Sequence, residues 1–253
     1  MRRVFVTGAS GGLGLALARH YLAQGAVVGA VARREAALVE AFGSQASVLL
    51  LPADVRDRAA MQAVAGRFLN EVGVPDLVIG NAGVSVGTPT EHAEDGEQFR
   101  RVLETNLLGL VHTFQPFVAP MRVAGGGVLA GIASVAGVRG LPGAGAYSAS
   151  KAAAITYLES LRVELRGSGL DVVTVCPGYI RTPMTERNPY RMPFILDADE
   201  AARRIARIIH ARRRIAVVPW QMAVVARVLA LLPPALFDAL FARAPRKPRA
   251  GDH

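Results

Sequence analysis

Six short apolar runs, separated by longer stretches of helical character, constrain the fold of this chain more than any other feature. Val4–Thr7, Ala26–Ala32, Ser47–Leu51, Asp76–Gly80, Val128–Ala133 and Asp171–Cys176 are rich in Val, Leu and Ile. They lack the polar alternation of a half-exposed strand, so they read as strands buried on both faces. Between them Leu13–Gln24, Glu35–Phe42, Arg58–Val72, Gly96–Met121 and Tyr147–Arg166 read as helices. Strand–helix repetition of this kind implies an α/β fold, a doubly wound parallel sheet whose right-handed crossovers cover both faces. No Pro/Ser-rich linker divides the chain, so residues 1–242 are read as one domain.

After Cys176 the rhythm changes. Pro177–Leu196 is irregular; an Arg-rich helix near Ala198–Ala211 and a strand near Ile215–Val218 follow. The apolar segment Pro219–Phe241 is broken at Pro233-Pro234. Residues 183–242 are expected to form a substrate lid and a C-terminal helical extension, and residues 243–253 a frayed basic tail.

The glycine-rich stretch Thr7-Gly8-Ala9-Ser10-Gly11-Gly12-Leu13-Gly14 closes the first strand and opens directly into a helix. Glycines there permit a tight turn and let backbone approach a pyrophosphate, while the helix N-terminus offers free N–H groups and a positive dipole end. At the end of the second strand, where an acid would select NAD through its ribose, the chain carries Ala32-Arg33-Arg34. An arginine there pairs with a 2′-phosphate, so NADP(H) is expected ahead of NAD(H), with Arg33 the first choice and Arg34 the second. Asp54, next to Val55 just past the third strand, can accept a hydrogen bond from an adenine amino group or cap the next helix. Asn81-Ala82-Gly83 follows the fourth strand, at a carboxyl strand end where ligands lie in open α/β sheets. Asn81 fits a turn-stabilising role, and the small Ala82 and Gly83 let a cofactor pass close.

Tyr147-Ser148-Ala149-Ser150-Lys151 places a phenol and an ammonium one helical turn apart on one face. A free tyrosine titrates near 10, and a neighbouring ammonium favours the phenolate, so the pair makes a tuned proton donor and acceptor for carbonyl chemistry. The net charge of +9 comes almost wholly from Arg, and Lys151 and Lys247 are the only lysines. Lysine at position 151 therefore points to ammonium chemistry rather than bare charge. Its spare donors can also hold ribose hydroxyls. Ser134, at the end of the fifth strand, can donate to a developing oxyanion or cap a turn. Asn106 stands inside a long helix, where Asn is a poor helix former. It either holds a water and bends the helix or is buried with backbone partners.

Jointly these residues resemble the short-chain dehydrogenase/reductase (SDR) family, over about Arg3–Met184. The resemblance rests on the Thr7–Gly14 loop, Asp54, Asn81-Ala82-Gly83, Asn106, Ser134, Tyr147, Lys151 and Pro177-Gly178-Tyr179-Ile180-Arg181-Thr182. It implies a Rossmann-like sheet on which Tyr147 protonates a carbonyl oxygen while NADPH delivers hydride. Ser134 would stabilise the oxyanion, Lys151 would bind ribose and lower the tyrosine pKa, and Asn106 would anchor a proton-relay water. Pro177, Gly178, Ile180 and Thr182 would border the nicotinamide, Ile180 and Thr182 holding its carboxamide. A homodimer or homotetramer through the helices that start near Gly96 and Tyr147 is implied too. Many NADP-using members carry a basic residue where this chain has Gly11, so the NADP expectation rests on Arg33 and Arg34.

The substrate is expected to be a hydrophobic carbonyl or alcohol compound, because Met184, Tyr190, Met192 and Phe194 stand in the lid segment. Arg187 or Arg191 there can meet an acidic group. A 3-ketoacyl thioester on an acidic carrier protein, and a non-catalytic dinucleotide sensor, are the competing readings. The cluster Arg203, Arg204, Arg207, Arg212, Arg213 and Arg214 lacks interleaved aromatics. It is read as a solvated helix face paired with Asp197, Asp199 and Glu200, not as a nucleic-acid site. Trp220–Leu232 is shorter than the roughly 20 residues of a spanning helix and suits a substrate wall or subunit interface. Arg243, Arg246, Lys247 and Arg249 keep peripheral membrane contact as a minor reading. Cys176 is the single cysteine, so no intrachain disulfide or cysteine metal site can form and no metal is expected. With an N-terminus that runs straight into a strand pattern, this points to the cytoplasm.

Overall fold

The computed structural model describes residues 2–43, 45–186 and 188–250. The chain runs β1 (Arg3–Thr7), α1 (Gly12–Ala23), β2 (Val27–Ala32), α2 (Glu35–Phe42), β3 (Val48–Pro52), α3 (Arg58–Glu71) and β4 (Leu77–Gly80). Next come α4 (Gly96–Leu103), α5 (Gly109–Val123), β5 (Gly127–Ile132), α6 (Gly145–Glu164) and β6 (Leu170–Pro177). The remainder holds β7 (Ile180–Arg181), α7 (Pro183–Glu186), β8 (Leu196–Asp197), α8 (Ala198–His210), β9 (Ile215–Val218), α9 (Trp220–Leu231) and α10 (Pro234–Phe241).

Seven strands form one sheet in the order β3-β2-β1-β4-β5-β6-β9, with every neighbouring pair parallel. The fold is thus the expected Rossmann-like sheet. Alternate residues of β1 supply its two faces. Val4 and Val6 pack with Leu17, Ile205 and Ile209 of α1 and α8. Phe5 turns the other way, into edge-on contact with Phe68 and Phe117 at 5.4 and 4.7 Å between ring centres. Burying each ring contributes on the order of 2 kcal/mol. Strand order reverses between β1 and β4, and that switch point opens a crevice at the carboxyl ends of the strands.

Two expectations are corrected. The helix read as Gly96–Met121 is interrupted by a π-helical turn, Glu104–Leu108, with Asn106 at its centre. The tail is not frayed over its described part: Gly87 N–H donates to the Pro248 carbonyl at 2.8 Å, and Arg249 pairs with Glu94 and Asp95. Residues 251–253 lie outside the described residues. Beyond β9, one face of α9 packs Met222 and Ala226 against Val135, Val138 and Tyr179, and the other exposes Trp220, Val224 and Val228. Among the described residues no single helix is long and apolar enough to cross a membrane; α9 and α10 are bent by 118° at their junction.

Candidate active site

The loop after β1 turns on left-handed glycines, Gly8 (φ +70) and Gly12 (φ +52). A Cβ on Gly14 would overlap the Gly8 carbonyl oxygen, so the first turn of α1 closes onto the loop only with glycine there. The residue that precedes α1, Gly11, offers no side chain to cap its first N–H groups. Those donors and the positive end of the helix suit an anion.

A cavity of about 590 Å³ follows the carboxyl ends of six strands. Gly8, Ser10, Gly12, Leu13, Gly14, Arg33, Arg34, Asp54, Val55, Asn81, Ala82 and Gly83 line one end of this cleft, and Ser134, Tyr147, Lys151, Pro177, Gly178, Ile180 and Thr182 line the other. Thr7 is not on it. Its hydroxyl is consumed behind the loop, where it accepts from Asn81 N (3.1 Å) and Ala82 N (3.3 Å) and faces the Ile79 carbonyl at 3.4 Å. Asn81 Nδ2 returns a bond to the Thr7 carbonyl at 3.0 Å, so the two residues tie β1 to β4 at the switch point.

Arg33 and Arg34 are exposed, and among the described residues neither side chain has a hydrogen bond or ion pair. Asp54 is differently occupied. Arg56 holds its carboxylate through both oxygens, with Nη2 donating to Oδ2 at 2.8 Å and Nε to Oδ1 at 3.2 Å. Burial would raise the Asp54 pKa, but the Arg56 hydrogen bonds and charge outweigh it and hold the acid below its usual range. Asp57, not Asp54, caps α3 by accepting from Ala60 N at 3.0 Å.

Asn106 lies behind the cleft. Its Oδ1 accepts from Val84 N (2.8 Å), while Nδ2 donates to Val84 O (2.9 Å) and Ser150 Oγ (3.0 Å). Ser150 in turn donates to the Tyr147 carbonyl at 2.8 Å. The amide side chain therefore joins the loop after β4 to the N-terminal part of α6. Ser134 accepts from Ala136 N at 3.1 Å, capping the short turn Val135–Gly137, and stays on the cleft wall.

Lys151 is buried, and its Nζ donates to the Ile132 carbonyl at 2.8 Å. Burial without an acidic partner depresses its pKa to about 8. The Tyr147 ring centre is 5.9 Å from that ammonium. Burial raises the Tyr147 pKa, and the adjacent Ser134 hydroxyl opposes the shift. Desolvation of the phenol thus works against the lowering expected from the Lys151 ammonium.

Tyr190, between α7 and β8, packs edge-on to Tyr179 at 6.4 Å, and Met184 reaches the cleft. Arg187 lies outside the described residues. Glu200 neutralises Arg203 and Arg204 at 2.7 and 2.6 Å, whereas Asp197 pairs with Arg181 at 2.9 Å and Arg212 with Asp171 at 2.6 Å. Among the described residues no group of three or more His, Cys, Asp or Glu side chains could hold a metal ion. One group outside the expected set stands beside the site: the Lys247 ammonium, 5.9 Å from the Tyr147 ring centre though not itself on the cleft wall.

Comparison with known proteins agrees with this architecture. The short chain dehydrogenase family model matches residues 2–191. An uncharacterized oxidoreductase of Myxococcus xanthus is 37% identical over 242 residues, covering 94% of this chain and 95% of the relative. A 2-(R)-hydroxypropyl-CoM dehydrogenase of Xanthobacter autotrophicus is 35% identical over 192 residues, covering 73% of this chain and 77% of the relative. The solved structure of a short chain dehydrogenase/reductase from Burkholderia phymatum in complex with NAD has the same fold, with a TM-score of 0.82 at 24% identity and coverage of 98% and 97%. The chain belongs to the short-chain dehydrogenase/reductase family of NAD(P)-dependent oxidoreductases.

Proposed function

We propose that the chain is an NADP(H)-dependent oxidoreductase acting on the carbonyl or alcohol group of a hydrophobic small molecule, with Tyr147 as proton donor and acceptor. One observation carries this reading: Tyr147, Ser134 and Lys151 border the same cleft as the uncapped helix N-terminus and the glycine loop. The open N–H groups at Gly12 and Leu13 fit a pyrophosphate, and the unpaired guanidinium groups of Arg33 and Arg34 fit a 2′-phosphate. Lys151 would hold ribose hydroxyls, and Pro177, Gly178, Ile180 and Thr182 would border the nicotinamide.

The bound dinucleotide supplies or accepts the hydride. In reduction, Tyr147 gives its phenolic proton to the carbonyl oxygen, and its raised pKa keeps that proton in place at neutral pH. The Ser134 hydroxyl donates to the same oxygen as negative charge develops. Asn106, through Ser150, acts as a positioning residue for the turn that carries Tyr147. The aromatic Tyr179 and Tyr190, with Met184, suit an apolar substrate. Leu108, in the turn before α5, and Val163 of α6 are exposed and support pairing of two copies through these helices. A lone buried Cys176 suits a reducing, cytoplasmic setting.

NADPH and NADH oxidation against a panel of ketones and aldehydes tests the reading. The wild type should favour NADPH, and Arg33→Ser/Arg34→Ser should lower the NADPH-to-NADH ratio of kcat/KM about 10- to 100-fold, the worth of one or two charge-assisted hydrogen bonds. A wild type that prefers NADH, or a ratio unmoved by the double substitution, would refute the cofactor assignment.

A further inference from the structure

The C-terminal strap brings a second ammonium to the reacting phenol. Three ties hold it: Arg249 to Asp95 at 2.7 Å and Glu94 at 2.6 Å, Arg246 to Glu91 at 3.4 Å, and Gly87 N–H to the Pro248 carbonyl at 2.8 Å. A Cβ on Gly87 would overlap the Lys247 carbonyl oxygen, so the two backbones pass this closely only with glycine at position 87. These contacts deliver the Lys247 Nζ to 5.9 Å from the Tyr147 ring centre, near the outer limit of cation–π attraction.

The two lysines beside Tyr147 differ in occupation. Lys151 is committed to the Ile132 carbonyl, whereas among the described residues Lys247 makes no hydrogen bond or ion pair. Arg246 and Arg249, its strap neighbours, are both matched by carboxylates. Burial alone depresses Lys247 to about 8. A partly desolvated ammonium without a counter-ion is costly, and an arriving anion relieves that cost.

We propose that Lys247 determines specificity by binding an anionic group, a carboxylate or a phosphate, that the substrate carries a few bonds from its reacting carbonyl. This rests on the proposed oxidoreductase reading and narrows its substrate class to acidic ketones or hydroxy acids with an apolar body.

The test compares a carboxylate-bearing ketone and its phosphate analogue with the neutral methyl ester, using the full chain. Wild type should favour the acidic ketones, and Lys247→Met should reduce that preference about 10- to 100-fold. Lys247→Arg should restore part of it. Gly87→Ala, which displaces the strap but keeps the lysine, should lower the preference as well. Whether carboxylate or phosphate is preferred identifies the anion. Equal losses on acidic and neutral ketones would overturn the proposal, because Lys247 would then act through Tyr147 or the fold. A preference unchanged by Lys247→Met would overturn it too. Calorimetry of hexanoate binding in the presence of NADP+ needs no turnover. Binding weakened at least tenfold in Lys247→Met supports the proposal even if no ketone is reduced, an outcome that sinks only the oxidoreductase reading. Turnover of ketones without any acid preference sinks only the proposal.

Discussion

Tyr147→Phe is expected to lower kcat for carbonyl reduction by about 10²- to 10⁴-fold, the usual worth of a positioned general acid. The dissociation constant of NADPH should change less than tenfold, because the substitution removes one oxygen and keeps the ring that packs beside Lys151 and Lys247. The wild-type pH dependence follows from the same group. Burial holds the phenol above its ordinary value of about 10, with the Ser134 hydroxyl opposing. Reduction needs the protonated form, which is full throughout the neutral range, so its kcat/KM should be level there with respect to this group. Alcohol oxidation needs the deprotonated form, so it should climb with pH toward the alkaline side, and the climb should vanish in the Phe variant. A variant that reduces ketones as fast as wild type would remove Tyr147 from the mechanism.

Gly14→Ala should abolish most dinucleotide binding while leaving a folded chain. The new methyl meets the Gly8 carbonyl oxygen and the Asn81 amide, and both belong to the unit that ties β1 to β4. Overpacking of this kind costs about 1–3 kcal/mol. In a chain of this size that corresponds to a fall in Tm of very roughly 2–12 °C. The NADPH dissociation constant should rise at least about 100-fold, since the loop must open where backbone donors and helix dipole converge. Calorimetry with circular dichroism checks both halves. Native binding in the variant would mean that the pyrophosphate does not lie on this loop.

Much of the sheet was legible because buried parallel strands announce themselves as unbroken apolar runs. The six strands expected up to Cys176 fall within a residue or two of β1 to β6, and the one expected near Ile215–Val218 is β9. The glycine loop was legible for another reason: its place between a strand and a helix carries more information than its composition. Other features depend on contacts that no local pattern encodes. The π turn at Glu104–Leu108 continues an ordinary helical periodicity, and only Asn106 hinted at it. Asp54 was weighed as an adenine acceptor or cap, while its partner Arg56 stood two residues away.

The tail is the clearest failure. A basic, proline-containing terminus reads as frayed, but the carboxylates that fix it, Glu94 and Asp95, come from a loop about 155 residues earlier in the chain. A signal did exist. The scarcity of lysine that singled out Lys151 applies equally to Lys247, and both ammonium groups stand at the same distance from Tyr147. The paired Arg246 and Arg249 likewise leave the tail less of the free basic surface that a membrane reading requires.

In the proposed reaction hydride passes between a nicotinamide bound on the glycine-loop cleft and a carbonyl carbon held beside Tyr147. Reduction of a ketone with NADPH deuterated at C4, one face at a time, measures that transfer directly. One deuterium is expected on the carbinol carbon from one face only, with Tyr147→Phe slowing its appearance. Product alcohol without deuterium from either face, or NADPH that binds tightly and transfers nothing to any carbonyl, would contradict it.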